Sequence, residues 1–143
     1  MGIPNKSWKK ELRLPSERGT SKHIMDELLA QLEAYGWPQS DVFAIHLAAE
    51  EAITNAAVHG NKLDDSKTIH VVCHVTPDFV QIEVADEGSG FDPHTVPDCT
   101  CDTRLDAPNG RGVKLMKSFM THLEYNTKGN RVLMKKHRDA AVQ

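Results

Sequence analysis

No apolar run in the sequence approaches the roughly 18 residues that a membrane-spanning helix requires. The opening stretch MGIPNKSWKKELRLP also lacks the apolar centre of a secretory signal. Both absences lead to the expectation of a cytoplasmic protein with no membrane contact. Positive charge is not in surplus either: the formal net charge is -3. Its lysines and arginines are scattered rather than gathered on one element, which argues against direct nucleic-acid binding. Cysteine is scarce. The three present cannot all pair within one chain, and reduced thiols fit a cytoplasmic home. Cys99 and Cys101 lie near His94 in HTVPDCTCDTR, but one intervening residue is too short for the usual zinc spacing and no second ligand cluster is in sight. They are expected to be loop cysteines. Repeats, linkers and low-complexity tracts are absent as well.

What is present suits one self-sufficient fold. At 143 residues, 39% hydrophobic and 26% charged, the chain is long enough to bury a core as a single domain over residues 1–143. WKKELRLP alternates weakly with period two and predicts a strand closed by Pro15. Ser16 is placed to cap a helix in which Ile24, Met25, Leu28, Leu29, Leu32 and Tyr35 recur at helical spacing until Gly36 and Pro38. Ser40 is placed to cap a second helix, whose apolar stripe is Ile45, Ala49, Ala52, Ile53 and Ala56 and whose stop is Gly60. TIHVVCHV and FVQIEVAD then read as a hairpin about the turn TPD. Residues from Glu87 to Arg111 have no sustained period, a long loop of the functional kind. A third helix is expected through Val113, Met116, Phe119 and Met120, followed by a hairpin of HLEYN and NRVLMKK about TKGN. The order predicts an α+β fold: a mostly antiparallel sheet covered on one face by three helices.

Three stretches carry polar groups that this scaffold does not need. In AAEEAITNAAVHGN, Glu51, Asn55 and His59 are spaced four apart and should form a row beside the apolar stripe. Asn55 offers a neutral oxygen suited to Mg²⁺, and Glu51 one turn earlier can accept a proton from a hydroxyl. Taken alone, that pair is equally well explained as water-facing helix surface. Glu50 reads as solvated surface and His59 as a helix-end residue bonding the last carbonyls. In QIEVADEGSGFD, the period that buries Val80, Ile82 and Val84 also carries Asp86 inward, where a carboxylate needs a donor such as the exocyclic amine of adenine. The glycines of GSG allow backbone to pass close to a flat ring. NGRGVKLM opens directly into a helix, an arrangement of free amides with Arg111 that suits phosphates.

Taken together and in this order, EEAITNAAVHG, DEGSGFD and NGRGVKLMKSFM resemble the N box and the two glycine boxes of the Bergerat-type ATPases, the superfamily of gyrase, Hsp90, MutL and histidine kinases. The likeness is closer still to the small anti-sigma-factor serine kinases and spans most of the chain. The resemblance implies a Bergerat two-layer fold that binds ATP and Mg²⁺. By the same likeness Glu51 is the catalytic glutamate, Asn55 the Mg²⁺ ligand and Asp86 the acceptor of the adenine amine. Gly88 and Gly90 match the first glycine box, and Gly110, Arg111, Gly112 and Val113 the second, beside the triphosphate. The segment at about 91–111 corresponds to the ATP lid, but PHTVPDCTCDTRLDAP lacks the threonine-and-lysine cluster some of these kinases place there, with Arg104 the candidate substitute.

The function implied is an anti-sigma factor and ATP-dependent serine kinase acting on a STAS-domain anti-anti-sigma protein. The same likeness implies a homodimer that holds a sigma factor inactive. The unusual lid motivates an alternative: a non-catalytic module that sequesters a sigma factor or other regulator and uses nucleotide only as a conformational ligand. A histidine-kinase catalytic domain fits less well, because no helix pair bearing a phosphoacceptor histidine is present.

Overall fold

Alternation of buried and exposed side chains organises the sheet. The computed structural model describes residues 7–88 and 120–138. Five strands, β1 (Trp8–Pro15), β2 (Thr68–Val75), β3 (Phe79–Ala85), β4 (His122–Tyr125) and β5 (Arg131–His137), lie in the order β1-β2-β3-β5-β4. Every pairing among them is antiparallel. The register sets Val71 opposite both Leu12 and Val84, and Ile82 opposite Cys73 and Met134, so one face is a continuous aliphatic surface. On that face Ile69, Val71, Cys73, Val75, Val80, Ile82, Val84 and Met134 are buried.

Two helices, α1 (Lys22–Ala34) and α2 (Gln39–Thr54), bring their apolar stripes to this core. Ile24, Met25, Leu28, Leu32 and Tyr35 of the first stripe and all five predicted stripe residues of the second are buried, and Leu29 is partly so. Gly36 ends α1 in the left-handed conformation, at φ 76°, where a side chain would be strained. Arg138, just past β5, donates to the carbonyls of Tyr35, Gly36 and Pro77, and Trp37 donates from its indole to Thr76 O at 2.9 Å. These bonds tie the helix connection to the ends of β2 and β5. No helix of the described residues is long and apolar enough to cross a membrane.

The first-strand and hairpin predictions hold almost to the residue, whereas both helix starts need correction. α1 begins at Lys22 with Ser21 as its cap, because Ser16 is committed elsewhere: its buried hydroxyl donates to Lys67 O at 2.6 Å. α2 is capped by Pro38 rather than Ser40, which sits exposed in the first turn. The α+β class and the helix-covered sheet are as expected. The predicted third helix lies outside the described residues except for Met120, which is buried.

Candidate functional site

Helix α2 carries Glu51 in its last turn, and the backbone widens immediately after it. Asn55–Gly60 is a π turn, in which the Asn61 N–H reaches back five residues to Ala56 O at 2.8 Å. Such insertions concentrate at functional sites because they re-aim a helix end without unwinding it. Asn55 still donates its N–H to the carbonyls of Ala52 and Glu51, so it stays joined to the α-helical turn that bears Glu51. Both side chains are partly buried, and His59 is exposed. His59 makes no hydrogen bond to a carbonyl among the described residues, so its predicted helix-end bond is not formed. Glu50 is also more than solvated surface: its carboxylate accepts from the buried Ser21 hydroxyl at 2.7 Å and joins α2 to the start of α1.

The Asn55 amide fits a metal-bound nucleotide. Its Nδ2 end is buried with no hydrogen-bond partner among the described residues. A buried amide left so costs about 1–3 kcal/mol. Amide nitrogen and oxygen exchange by a simple flip, so this side chain can present a neutral oxygen. The described residues contain no group of three or more His, Cys, Asp or Glu able to hold a metal. A single protein oxygen suits Mg²⁺, which keeps waters and takes its remaining ligands from phosphates.

Asp86 follows the last residue of β3. Its N–H donates to Asn130 O at 2.9 Å, and its carboxylate accepts the Gly88 N–H at 2.7 Å. Burial pushes this carboxyl above its ordinary value, partly opposed by the Gly88 amide and by the charges of Lys128 and Lys67. The inward Asp86 expected from strand period is thus half-buried at the end of the core face. Two glycines enclose it. A Cβ on Gly60 would lie 2.4 Å from the Asp86 carboxyl, and one on Gly88 would lie 2.1 Å from Gly60 O. The end of the π turn therefore rests directly against the start of the DEGSG loop.

Asn61, next in the chain, locks this contact from beneath. It is 1% exposed. Its Oδ1 accepts the Glu87 N–H at 2.7 Å, while its Nδ2 donates to Ser16 Oγ at 2.8 Å and Thr68 O at 3.0 Å. Glu87 in turn accepts from the Thr68 N–H at 2.6 Å, an interaction that holds its carboxyl below the usual range. Burial pushes the phenol of Tyr125 on β4 upward, and the Glu51 charge adds to that push.

The described residues thus bring Asp86 and Gly88 against the end of the element that carries Glu51 and Asn55. Gly90, Arg104, Gly110, Arg111, Gly112, Val113 and the lid at 91–111 lie outside the described residues, as do His94, Cys99 and Cys101. In the sequence Gly60 reads only as a helix stop. Asn61 and Tyr125 had no assigned role, since an asparagine after a helix-ending glycine reads simply as a turn.

Comparison with known proteins agrees with this geometry. A histidine kinase-like ATPase domain model matches residues 14–136. The chain is 30% identical over 140 residues to an anti-sigma F factor of Clostridium perfringens strain SM101, covering 94% of this chain and 97% of that one. It is 28% identical over 137 residues to the serine-protein kinase RsbW of Bacillus subtilis strain 168, covering 89% and 84%. Among solved structures, the RsbU and RsbW domains of Rv1364c from Mycobacterium tuberculosis match 92% of this chain at a TM-score of 0.58 and 13% identity. The chain spans 32% of that longer structure, and the match shows the shared fold. With this fold, these boxes and these relatives, the chain belongs to the histidine kinase-like ATPase domain family.

Proposed function

We propose that this protein is an anti-sigma factor and ATP-dependent serine protein kinase whose acceptor is a serine of a STAS-domain anti-anti-sigma protein. The observation that carries the proposal is the joining of two half-sites. The turn bearing Glu51 and Asn55, whose Nδ2 has no partner among the described residues, runs into Gly60, which lies against the Asp86 carboxylate. Relatives named anti-sigma F factor and serine-protein kinase RsbW support the same class.

In this reading Asp86 accepts the exocyclic amine of adenine, a donor that offsets the cost of holding a half-buried carboxylate. Asn55 would hold Mg²⁺ through its amide oxygen, and the ion would supply charge neutralisation for the phosphates. Glu51 accepts the proton of the acceptor serine hydroxyl as its oxygen bonds to the γ-phosphorus and the bond to ADP breaks. Gly88 and Gly90 let backbone lie along the base. Gly110, Arg111, Gly112 and Val113, with Arg104 in the lid, complete the phosphate end. The same molecule, unoccupied by its acceptor, sequesters a sigma factor and works as a cytoplasmic homodimer.

The reading is tested by recovering the proteins that co-purify with the tagged chain with and without Mg-ATP. A STAS-domain protein that gains phosphoserine when Mg-ATP is added supports it. A captured regulator that stays unphosphorylated in the presence of bound ATP favours the sequestering module instead.

A further inference from the structure

The π turn, its exit and the loop after β3 form one mechanical unit. Beyond Asn61 the backbone passes through two consecutive left-handed residues, Lys62 at φ 54° and Leu63 at φ 57°. Neither is glycine, so each is held in a sparsely populated conformation. Such an exit persists only where its surroundings fix it. Here the Leu63 N–H reaches Ala57 O at 2.9 Å and the Asp64 N–H reaches Asn61 O at 3.0 Å. The Asn61 side chain spends its hydrogen bonds on three separate segments: Ser16 after β1, Thr68 at the start of β2, and Glu87.

Glu87 is the residue between Asp86 and Gly88. A grip on its N–H fixes the peptide that leaves Asp86, while the Gly88 N–H fixes the carboxylate. Gly60 then sets the clearance. The three atoms nearest a methyl group there all belong to the Asp86 carboxylate, Cγ and Oδ2 at 2.4 Å and Oδ1 at 2.7 Å. A methyl on Gly88 would instead meet backbone first, at 2.1 Å from Gly60 O and 2.7 Å from Gly60 C, and then Asp86 Oδ1 at 2.9 Å. The two glycines therefore differ in what they protect. Gly88 protects the chain path. Gly60 protects the aim of one carboxylate, because a methyl there would press first on that carboxylate and pull it from the Gly88 N–H.

We infer that Gly60 and Asn61 are positioning residues for base selection, Asn61 by holding the Asp86 loop through Glu87 and Gly60 by leaving the Asp86 carboxylate free to receive a purine amine. This inference rests on the reading of Asp86 as the adenine-amine acceptor. It adds that discrimination between an amino-purine and an oxo-purine nucleotide is set by the end of the π turn as well as by Asp86.

The experiment measures equilibrium binding of Mg-ATP and Mg-GTP, together with thermal melting, for the full chain and three variants: Gly60→Ala, Asn61→Ala and Asp86→Asn. Gly60→Ala is expected to melt close to wild type yet bind ATP at least about ten-fold more weakly, the scale of one charge-assisted hydrogen bond. Its preference for ATP over GTP should shrink by a similar factor. Asn61→Ala should lose both stability and preference, and Gly60→Ala keeps the test decisive if Asn61→Ala does not fold. Asp86→Asn reports on the underlying reading. If it retains the wild-type preference for ATP, the assignment of Asp86 is wrong. If it loses that preference while folded Gly60→Ala keeps wild-type affinity and preference, the inference is overturned and the assignment of Asp86 stands.

Discussion

Asn61 Oδ1 accepts the Glu87 N–H at 2.7 Å, so a residue at the end of the second helical element holds the peptide that follows Asp86. The contact couples two stretches separated by 26 residues. It makes the position of Asp86 depend on the π turn, and the π turn continues the helix that carries Glu51.

Removing the Asp86 charge should stabilise the nucleotide-free protein. Burial raises this carboxyl in the folded state, so the folded chain holds its proton to higher pH than the unfolded chain does. The favourable contribution is complete below the unfolded value and is lost as pH rises through the folded one. Asp86→Asn keeps the shape without the charge. Its melting temperature should exceed that of wild type at pH 7, with the gap closing toward pH 4. A gap that widens on acidification would show that the charged form is the stabilised one.

Cys73 should resist alkylation in the native protein. It lies 1% exposed on β2, and burial pushes its thiol up to about 12, with the Glu27 charge adding to the rise. Thiolate is the reactive form and access is blocked. Mass mapping after iodoacetamide treatment should find Cys73 unmodified until denaturant is added. Rapid native labelling at this position would mean that the sheet face is open.

The Ser21 to Glu50 hydrogen bond should contribute modestly to stability. The hydroxyl is buried but the carboxylate is 43% exposed, so Ser21→Ala should cost about 1 kcal/mol, below the full worth of a charged acceptor. Denaturant midpoints for Ser21→Ala, Glu50→Ala and the double variant measure the coupling. Additive losses would show that the two groups do not interact.

The parts of the fold governed by local period were readable in the sequence. Ile69, Val71, Cys73 and Val75 alternate strictly, and their strand runs over the predicted residues. The same period carried Asp86 inward. Long-range competition was not readable: Ser16 looks like a helix cap, yet its hydroxyl is taken by Lys67 O, 51 residues away. The π turn was hidden because NAAVHG has a pattern that α and π windings share, and the winding shows only in backbone bonds such as that from the Asn61 N–H to Ala56 O. Gly60 reads as a helix stop, yet it is the last residue of the π turn, whose cap is Asn61, and its nearness to Asp86 belongs to tertiary structure.

The central claim is that Glu51 takes the proton of an acceptor serine. The most direct measurement is the rate of phosphate transfer from γ-labelled ATP to the serine of a STAS-domain partner, comparing wild type with Glu51→Gln, with ATP affinity measured alongside. Loss of a general base predicts a fall of about 10²- to 10⁴-fold in transfer with ATP affinity near that of wild type. Equal transfer rates in the two proteins would contradict the assignment.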